Sequence, residues 1–187
     1  MANKFDFKFD KLNLILRQET LADHTTVAKV IEEAFKDVLF SDHKEHFLVE
    51  RLRNSNAFIP QLSIVAVHKS KVVGHILLTK IEIKNENNTF ESLAMAPVSV
   101  RPDYQNQGIG GMLIRKSHKI ARDLGFQSVI LLGHVDYYPK FGYKPTSKFG
   151  IEIPFEAPEE NCMAIELEEN SLKGVNGKVS YPKEFFE

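Results

Sequence analysis

The chain of 187 residues has little of what marks a secreted scaffold or a membrane protein. It has a single cysteine, Cys162, so no intrachain disulfide can form, and we expect a reducing compartment. No apolar run approaches the roughly 20 residues that span a bilayer. Residues 1–10 carry charges every few positions and lack the apolar centre of a secretory signal. We therefore expect a cytoplasmic protein with no membrane partner.

An excess of charge of either sign is also missing. Lys and Arg number 24 and Asp and Glu 25, a net charge of -1, whereas a dedicated nucleic-acid binder is usually basic. We therefore expect no nucleic-acid partner. Length and an ordinary globular composition predict one domain over residues 1–187. We expect its core at about residues 12–150, with residues 151–187 adding strands and loops to the same domain.

The apolar residues alternate between strand and helix periods, which favours an α/β (α+β) fold. Strands are predicted over residues 12–17, 62–67, 72–83, 90–100, 129–132 and 163–167. A first helix is predicted to follow Asp23, which is its expected N-cap. A second is predicted over 43–53, with Phe47, Leu48 and Leu52 pointing inward. A third is predicted over 107–124, and a short fourth helix over 137–141. Phe5, Phe7 and Phe9 alternate with polar residues, as in an edge strand or a packing arm. Pro97 lies inside a predicted strand, where it predicts an edge or a bulge.

A glycine-rich turn joins the strand over 90–100 to the helix over 107–124. A helix N-terminus has free N–H groups and favours negative charge, and glycine lets a phosphate approach the backbone. Gly110-Gly111-Met112 lacks the lysine of a Walker A loop, and Leu113 stands where a dinucleotide fingerprint needs glycine. The pattern predicts an anion site of another kind, with a tight turn for close helix–strand packing as the alternative.

The flanks of this turn resemble a known family. Gln105-Asn106-Gln107-Gly108-Ile109-Gly110 matches the Gln/Arg-x-x-Gly-x-Gly/Ala motif of the GCN5-related N-acetyltransferases (GNAT), and Tyr138 to Tyr143 resembles their Tyr-x-x-x-Gly-Phe signature. The order of strands and helices from Leu12 to Gly150 is similar too. The likeness to the YhbS-like predicted acetyltransferases covers nearly the whole chain, through segments such as 59–63, 73–76, 93–98, 137–143 and 163–167. It implies a mixed, mostly antiparallel central sheet, splayed at the cofactor site and flanked by helices.

The resemblance implies acetyl-CoA as the cofactor. It assigns the pyrophosphate to the turn formed by Gln105, Asn106, Gln107, Gly108, Ile109, Gly110 and Gly111. It assigns the pantetheine arm to the strand residues Val98, Ser99 and Val100, where the arm pairs with the backbone like an added strand. The N–H of Val98 is then expected to polarise the thioester carbonyl. A bulge at Pro97 would separate this strand from residues 129–132 and admit the cofactor.

Catalytic residues are assigned less directly. Tyr138 matches the family tyrosine near the cofactor sulfur, so we expect it to protonate the leaving thiolate, with a packing role as the alternative. The base that takes the amine proton has no fixed position in the motif. The candidates are His134, His75, Glu91 and Asp136. His134 follows the strand over 129–132 and carries a side chain that titrates in the useful range, so it is our first choice.

These residues predict an acetyl-CoA-dependent N-acetyltransferase that moves an acetyl group to a primary amine by direct attack in a ternary complex. The alternatives are a non-catalytic acyl-CoA-binding regulatory module and an acyltransferase with a different donor or acceptor. The acceptor is expected to be a small-molecule or peptide amine, selected by residues 35–53 and the tail, which carry no readable signature. Whether the protein is a homodimer stays open.

Two further features have an ordinary explanation. His43 and His46 lie three residues apart, a spacing that could hold a metal on a helix, but no further ligands cluster near them. We expect a solvated helix face and no metal site. Cys162 lies in an apolar stretch with no activating base at a recognisable spacing, so we expect a buried, inert thiol.

Overall fold

The computed structural model describes residues 13–38 and 41–187, so the Phe5, Phe7 and Phe9 arm lies outside the described residues. The described strands form one mixed sheet in the order β1-β2-β3-β4-β5-β8-β6, and β9 pairs with β3 and β7. The strands are β1 Ile15–Gln18, β2 Phe58–His68, β3 Lys71–Lys84, β4 Thr89–Val100, β5 Ser128–Leu132, β6 Lys144–Pro145, β7 Ile151–Glu152, β8 Cys162–Glu166 and β9 Gly177–Ser180. The helices are α1 His24–Phe35, α2 Glu45–Arg53 and α3 Ile109–Asp123.

Most neighbouring strands run antiparallel, and β4 and β5 form a parallel pair in the middle of the sheet. The prediction of a mixed, mostly antiparallel sheet flanked by helices is confirmed. The connection from β4 to β5 runs through α3, as a parallel pair requires. The short helix predicted over 137–141 is a 3-10 helix over Tyr138–Phe141, and it ends at Gly142, which has a left-handed conformation.

Side chains alternate between two apolar layers along each central strand. Leu93 and Met95 of β4 point to the face covered by α3, here called the α3 face. Ala94 and Ala96 point to the other side, here called the opposite face, which α1 and α2 cover near β2 and β3. At Ile81 and Ile83 of β3, and across β4, β5 and β8, the opposite face packs with residues from 149 onward, including Ile151, Leu172 and Val179.

The first two helices depart in detail from the sequence predictions. Asp23 precedes α1, but its carboxylate accepts from Arg17 at 2.7 and 2.9 Å and from the Thr20 N–H at 2.8 Å, and does not cap the helix. Helix α2 begins at Glu45, and the prediction that Phe47 points inward is wrong, because its side chain is 50% exposed. Phe47 lies five residues before the buried Leu52, about 140° around the helix.

Candidate functional site

The bulge predicted at Pro97 is present. Register partners Ile76–Val98 and Leu78–Met95 flank it, so Ala96 and Pro97 together stand opposite a single residue of β3. On its other side, β4 pairs with β5 only at Leu93–Val129 and Ala94–Ile130. Beyond Ala94 the two parallel strands separate, and the edge of β4 from Val98 to Val100 faces a gap.

Along this gap, no described strand pairs with the edge of β4 that faces away from β3. The Arg101 N–H donates to the Val73 carbonyl of β3 at 2.9 Å. Because backbone groups alternate along an antiparallel strand, Ser99 also faces β3, while Val98 and Val100 face the gap. The Val100 carbonyl accepts from the Gln105 side-chain amide at 3.0 Å. The N–H and carbonyl of Val98 and the N–H of Val100 are therefore directed into the gap.

The turn after β4 presents a helix N-terminus to the same gap. Gly108 precedes α3 with a φ of 84°, and Asn106 has a φ of 58°, both in the left-handed region that glycine and asparagine tolerate best. The Met112 N–H donates to the Gly108 carbonyl at 3.1 Å. Because that bond closes the first turn of α3, the N–H groups of residues 109–111 have no helical partner. Residues 105–108 are exposed to solvent.

Gly110 and Gly111 also have a packing role. A Cβ at Gly110 would lie 2.9 Å from the Tyr137 hydroxyl, and one at Gly111 would lie 3.3 Å from the Phe141 ring. The two aromatic side chains belong to the segment that follows β5, and they rest on the first turn of α3. The Arg115 guanidinium lies 5.1 Å from the centre of the Phe141 ring. Both interpretations of the turn, close packing and an anion site, thus have a structural basis.

Tyr138 lies at the end of β5, on the α3 face. Its ring packs against Gly133 so closely that a Cβ there would collide with it. It meets Tyr137 and Tyr143 edge-on, with ring centres 5.2 and 5.7 Å apart. Burial raises the pKa of the Tyr138 phenol well above its ordinary value, so the hydroxyl stays protonated at neutral pH. The Tyr143 hydroxyl is itself 2.9 Å from Nε2 of His118.

The four candidate bases lie in different surroundings. His134 is exposed directly after β5, and its carbonyl accepts from the Tyr137 N–H at 3.0 Å. Asp136 is exposed in the same loop. Glu91 lies at the far end of β4 from Val98, in an ion pair of 3.0 Å with Lys80. His75 has no solvent exposure. Of the four, only His134 and Asp136 belong to the loop that carries Tyr138.

Sequence reasoning missed a buried polar network around His75. Glu19 forms an ion pair with Arg53 and accepts from the Ser63 hydroxyl at 2.5 Å, and Ser63 lies 3.1 Å from Nε2 of His75. Burial lowers the pKa of His75 to about 4. Among the residues that the structure describes, Nδ1 of His75 and Oγ of Ser99 are buried without a partner. The four members come from separate elements of the chain, and no sequence spacing links them.

The side chains considered for a metal site or a reactive thiol have ordinary protein contacts or are buried. Nε2 of His46 is 3.3 Å from Glu32, and Nδ1 of His43 is 3.0 Å from the Phe35 carbonyl. Within residues 13–38 and 41–187, no three His, Cys, Asp or Glu side chains come together as metal ligands would. The Cys162 thiol is buried, and burial raises its pKa. In that part of the chain, none of the helices is both long and apolar enough to cross a bilayer.

The sequence is similar to a known family and to proteins of Escherichia coli. The sequence profile of the acetyltransferase (GNAT) domain matches residues 16–146. The uncharacterized N-acetyltransferase YjhQ of Escherichia coli K12 is 39% identical over 123 residues, which span 65% of this chain and 68% of YjhQ. The uncharacterized N-acetyltransferase YhbS of the same strain is 23% identical over 146 residues, 78% of this chain and 86% of YhbS.

Solved structures have the same fold. Escherichia coli YhbS, crystallised with CoA, superposes with a TM-score of 0.84 at 22% identity, over 94% of this chain and 93% of that one. A GNAT family acetyltransferase from Brucella melitensis, crystallised with acetyl-CoA, superposes with a TM-score of 0.76 at 29% identity, over 93% and 99% of the two chains. With its profile match, its relatives and its splayed sheet, this chain belongs to the GNAT acetyltransferase family.

Proposed function

We propose that this protein is an acetyl-CoA-dependent N-acetyltransferase that moves an acetyl group to a primary amine by direct attack in a ternary complex. The observation that carries the proposal is the unpaired edge of β4 beside the free N-terminus of α3. A linear amide-containing arm with a pyrophosphate at one end needs both features, backbone partners along a strand and a helix end for the phosphates. The acetyl-CoA complex of the Brucella relative supports the choice of donor.

The described residues fit such a donor. The exposed turn over residues 105–108 leaves the N–H groups of residues 109–111 free for phosphate oxygens. Val98 and Val100 offer backbone donors to amide carbonyls in the gap. When bound, the thioester supplies an activated acyl carbon. As negative charge develops on the carbonyl oxygen, the N–H of Val98 is the donor that is free to stabilise it.

The transfer itself requires no protein nucleophile. The amine nitrogen forms a bond to the acyl carbon, the carbon–sulfur bond breaks, the nitrogen loses a proton and the sulfur gains one. Tyr138 is assigned as the donor to the sulfur because its ring lies against Gly133 at the end of β5, beside the gap, and its hydroxyl is protonated at neutral pH. Proton transfer from a phenol to a thiol of pKa about 8.5 is uphill, so the hydroxyl acts first as a hydrogen-bond donor to the thiolate.

His134 is assigned as the base that takes the amine proton. It lies in the exposed loop that follows β5, four residues before Tyr138, and it is open to water and to an incoming amine. An imidazole nitrogen can accept a proton and pass it on to solvent. Asp136 shares the loop and is the alternative acceptor of this proton.

Calorimetric titration with acetyl-CoA, with CoA and ATP as comparators, tests the proposal first. We expect binding of acetyl-CoA and CoA in the micromolar range and none of ATP, since ATP offers no arm for the edge of β4. Acetyl transfer to a panel of amines, followed by release of free thiol, then tests catalysis. Binding without transfer to any amine would indicate a regulatory acyl-CoA-binding module, and absence of acetyl-CoA binding would overturn the proposal.

A substitution at Gly108 tests the phosphate site directly. Gly108→Asp puts a negative charge at the N-terminus of α3, and we expect the Kd of acetyl-CoA to rise at least about tenfold, or about 1.4 kcal/mol. Gly108→Asn is the matched control, because asparagine has the same shape and tolerates the left-handed conformation of Gly108. Equal affinities of the two variants would exclude a phosphate at this turn.

A further inference from the structure

The geometry of the gap between β4 and β5 separates the two substrates of the proposed reaction. Helix α3 and Tyr138 lie on the α3 face, so the donor approaches from that face. An amine must then reach the acyl carbon from the opposite face. On the opposite face, the last paired residues are Ala94 and Ile130. Ala96 packs on the same face, and alternation along β5 places Leu132 there too. These two side chains border the mouth of the gap, and Leu132 is 39% exposed.

An aromatic cluster lies beside this mouth. Cys162 of β8 is the register partner of Leu132. Tyr181 packs on the apolar layer that contains Ala94 and Ile130, the last paired residues of β4 and β5. The Phe155 ring centre is 4.8 Å from that of Tyr181 and 5.4 Å from that of Phe186. Here these three residues are called the tail aromatic cluster. Phe186 is 59% exposed, so the cluster presents an apolar surface to solvent.

The tail is fixed over this part of the sheet. Phe185 packs against the apolar layer under α1 and α2 and also against the layer around Ala94 and Ile130. The Arg51 Nε of α2 donates to the Glu184 carbonyl at 3.2 Å. The ring centre of Phe185 is 4.9 Å from that of Tyr181, so Phe185 anchors the tail aromatic cluster on the face from which the amine must arrive.

Two carboxylates lie near the mouth of the gap. Glu159 and Glu160 are exposed in the 3-10 turn that ends directly before β8. Their loop is tied to the end of β5, because Asn161 Nδ2 donates to the Gly133 carbonyl and the Gly133 N–H donates to the Asn161 carbonyl, both at 2.9 Å. An approaching ammonium group would be attracted there, and a carboxylate would be repelled.

We propose that the acceptor is a small primary amine with an aromatic body, whose ammonium group is attracted by Glu159 and Glu160 while its ring rests on the tail aromatic cluster at the mouth between Ala96 and Leu132. The inference rests on the proposed function and narrows its substrate class. An amine joined to a carboxylate would meet the wrong charge. An aliphatic amine would forgo the ring–ring contacts that the exposed Phe186 offers.

The test compares three amines that differ in one feature. We would titrate 2-phenylethylamine, ethylamine and β-alanine into the CoA-saturated protein by calorimetry, so that binding is read without turnover. Burying a phenyl ring predicts that 2-phenylethylamine binds at least about tenfold more tightly than ethylamine. We expect β-alanine to bind most weakly. The same order should appear in kcat/KM for acetyl transfer.

Two variants identify the surface. Phe186→Ala should raise the Kd of 2-phenylethylamine about fivefold and change that of ethylamine less than twofold, since only the ring contact is lost. The control Leu124→Ala removes a side chain of similar exposure, 43%, at the end of α3, and should change neither. Equal affinity of the three amines, or equal effects of the two variants, would overturn this inference. If acetyl-CoA still binds in that case, the proposed function stands. Absence of acetyl-CoA binding would overturn both.

Discussion

Tyr137 and Tyr138 are adjacent in the chain but contact different elements. The Tyr138 ring lies against Gly133 at the end of β5, and the Tyr137 hydroxyl lies against Gly110 at the start of α3. Burial raises the pKa of both phenols, so both are protonated at neutral pH. Protonation alone does not separate their roles, and the assignment of Tyr138 as the donor to sulfur depends on its position beside the gap.

Replacing Tyr138 with phenylalanine tests that assignment. Tyr138→Phe keeps the ring that packs on Gly133 and removes only the hydroxyl, so acetyl-CoA affinity should change less than twofold. We expect kcat to fall about 10²-fold, the lower end of what a positioned proton donor contributes. Steady-state kinetics and calorimetry on the same preparation give the two values.

Tyr137→Phe is the matched control for this substitution. It removes a hydroxyl from the neighbouring ring without touching the end of β5, and we expect kcat within threefold of the parent protein. If Tyr138→Phe turned over as fast as the parent protein, Tyr138 would have only a packing role.

Helices and strands whose apolar residues recur at a regular spacing could be predicted from the sequence. Helix α3, predicted over 107–124, runs from Ile109 to Asp123, because its apolar face repeats over four turns between Gly108 and Gly125. The bulge at Pro97 follows from the missing N–H of proline. Strands β6 and β7 have two residues each and show no period. Long-range pairing places them, and no local pattern in the sequence specifies it.

Some parts of the candidate site could be predicted from local sequence patterns, and other parts could not. The glycine-rich turn before α3 lies where the sequence predicts it, and in the structure Asn106 and Gly108 adopt left-handed conformations. By contrast, the contact of Tyr137 with Gly110 joins two segments 27 residues apart, and the mouth beside Leu132 depends on how the tail folds over the sheet. Such contacts are set by tertiary packing, so the sequence alone left the acceptor open.

The docking of the Tyr138–Phe141 segment on α3 can be tested by a double-mutant cycle. Gly110→Ala places a Cβ 2.9 Å from the Tyr137 hydroxyl at the far end of its side chain, which must shift, so the overlap should offset the roughly 1 kcal/mol that alanine gains over glycine in a helix. Tyr137→Phe removes the atom that the Cβ meets. We therefore expect the double variant to be more stable than the sum of the two single effects, by at least about 0.5 kcal/mol.

Urea denaturation of the four proteins in the cycle measures this coupling. Additive effects would mean that Gly110 is not required by the contact with Tyr137. Acetyl-CoA titration of the same four proteins then separates packing from phosphate binding. An affinity loss in Gly110→Ala that Tyr137→Phe does not relieve would point to the phosphate approach.

Across the whole molecule, two buried histidines connect separate elements. His75 belongs to the network that joins α2, β2, β3 and the end of β1 through Arg53, Ser63 and Glu19. His118 connects α3 to Tyr143, which follows the Tyr138–Phe141 segment. Burial lowers the pKa of each histidine to about 4, against about 6.5 in an unfolded chain. Both are therefore neutral in the folded protein at pH 7.

These two depressed pKa values predict a loss of stability in mild acid. Above pH 6.5 the histidines are neutral in both the folded and the unfolded chain, and their contribution is complete. As the pH falls from 6.5 to 4, the unfolded chain takes up protons that the folded protein resists, so the free energy of unfolding falls by roughly 3 kcal/mol for each histidine. Asp23 stays charged in this range, because its hydrogen bond with Arg17 holds its pKa well below the usual value.

Urea denaturation at pH 7, 5.5 and 4.5 measures this dependence, and His118→Gln tests its origin. Glutamine does not titrate and can still reach the Tyr143 hydroxyl, so the variant should lose about half of the pH dependence while folding normally at pH 7. The exposed His134→Gln is the control, and its curve should run parallel to that of the parent protein. If His118→Gln were also parallel, His118 would not account for the acid sensitivity, and its neutral state would not be a condition of the fold.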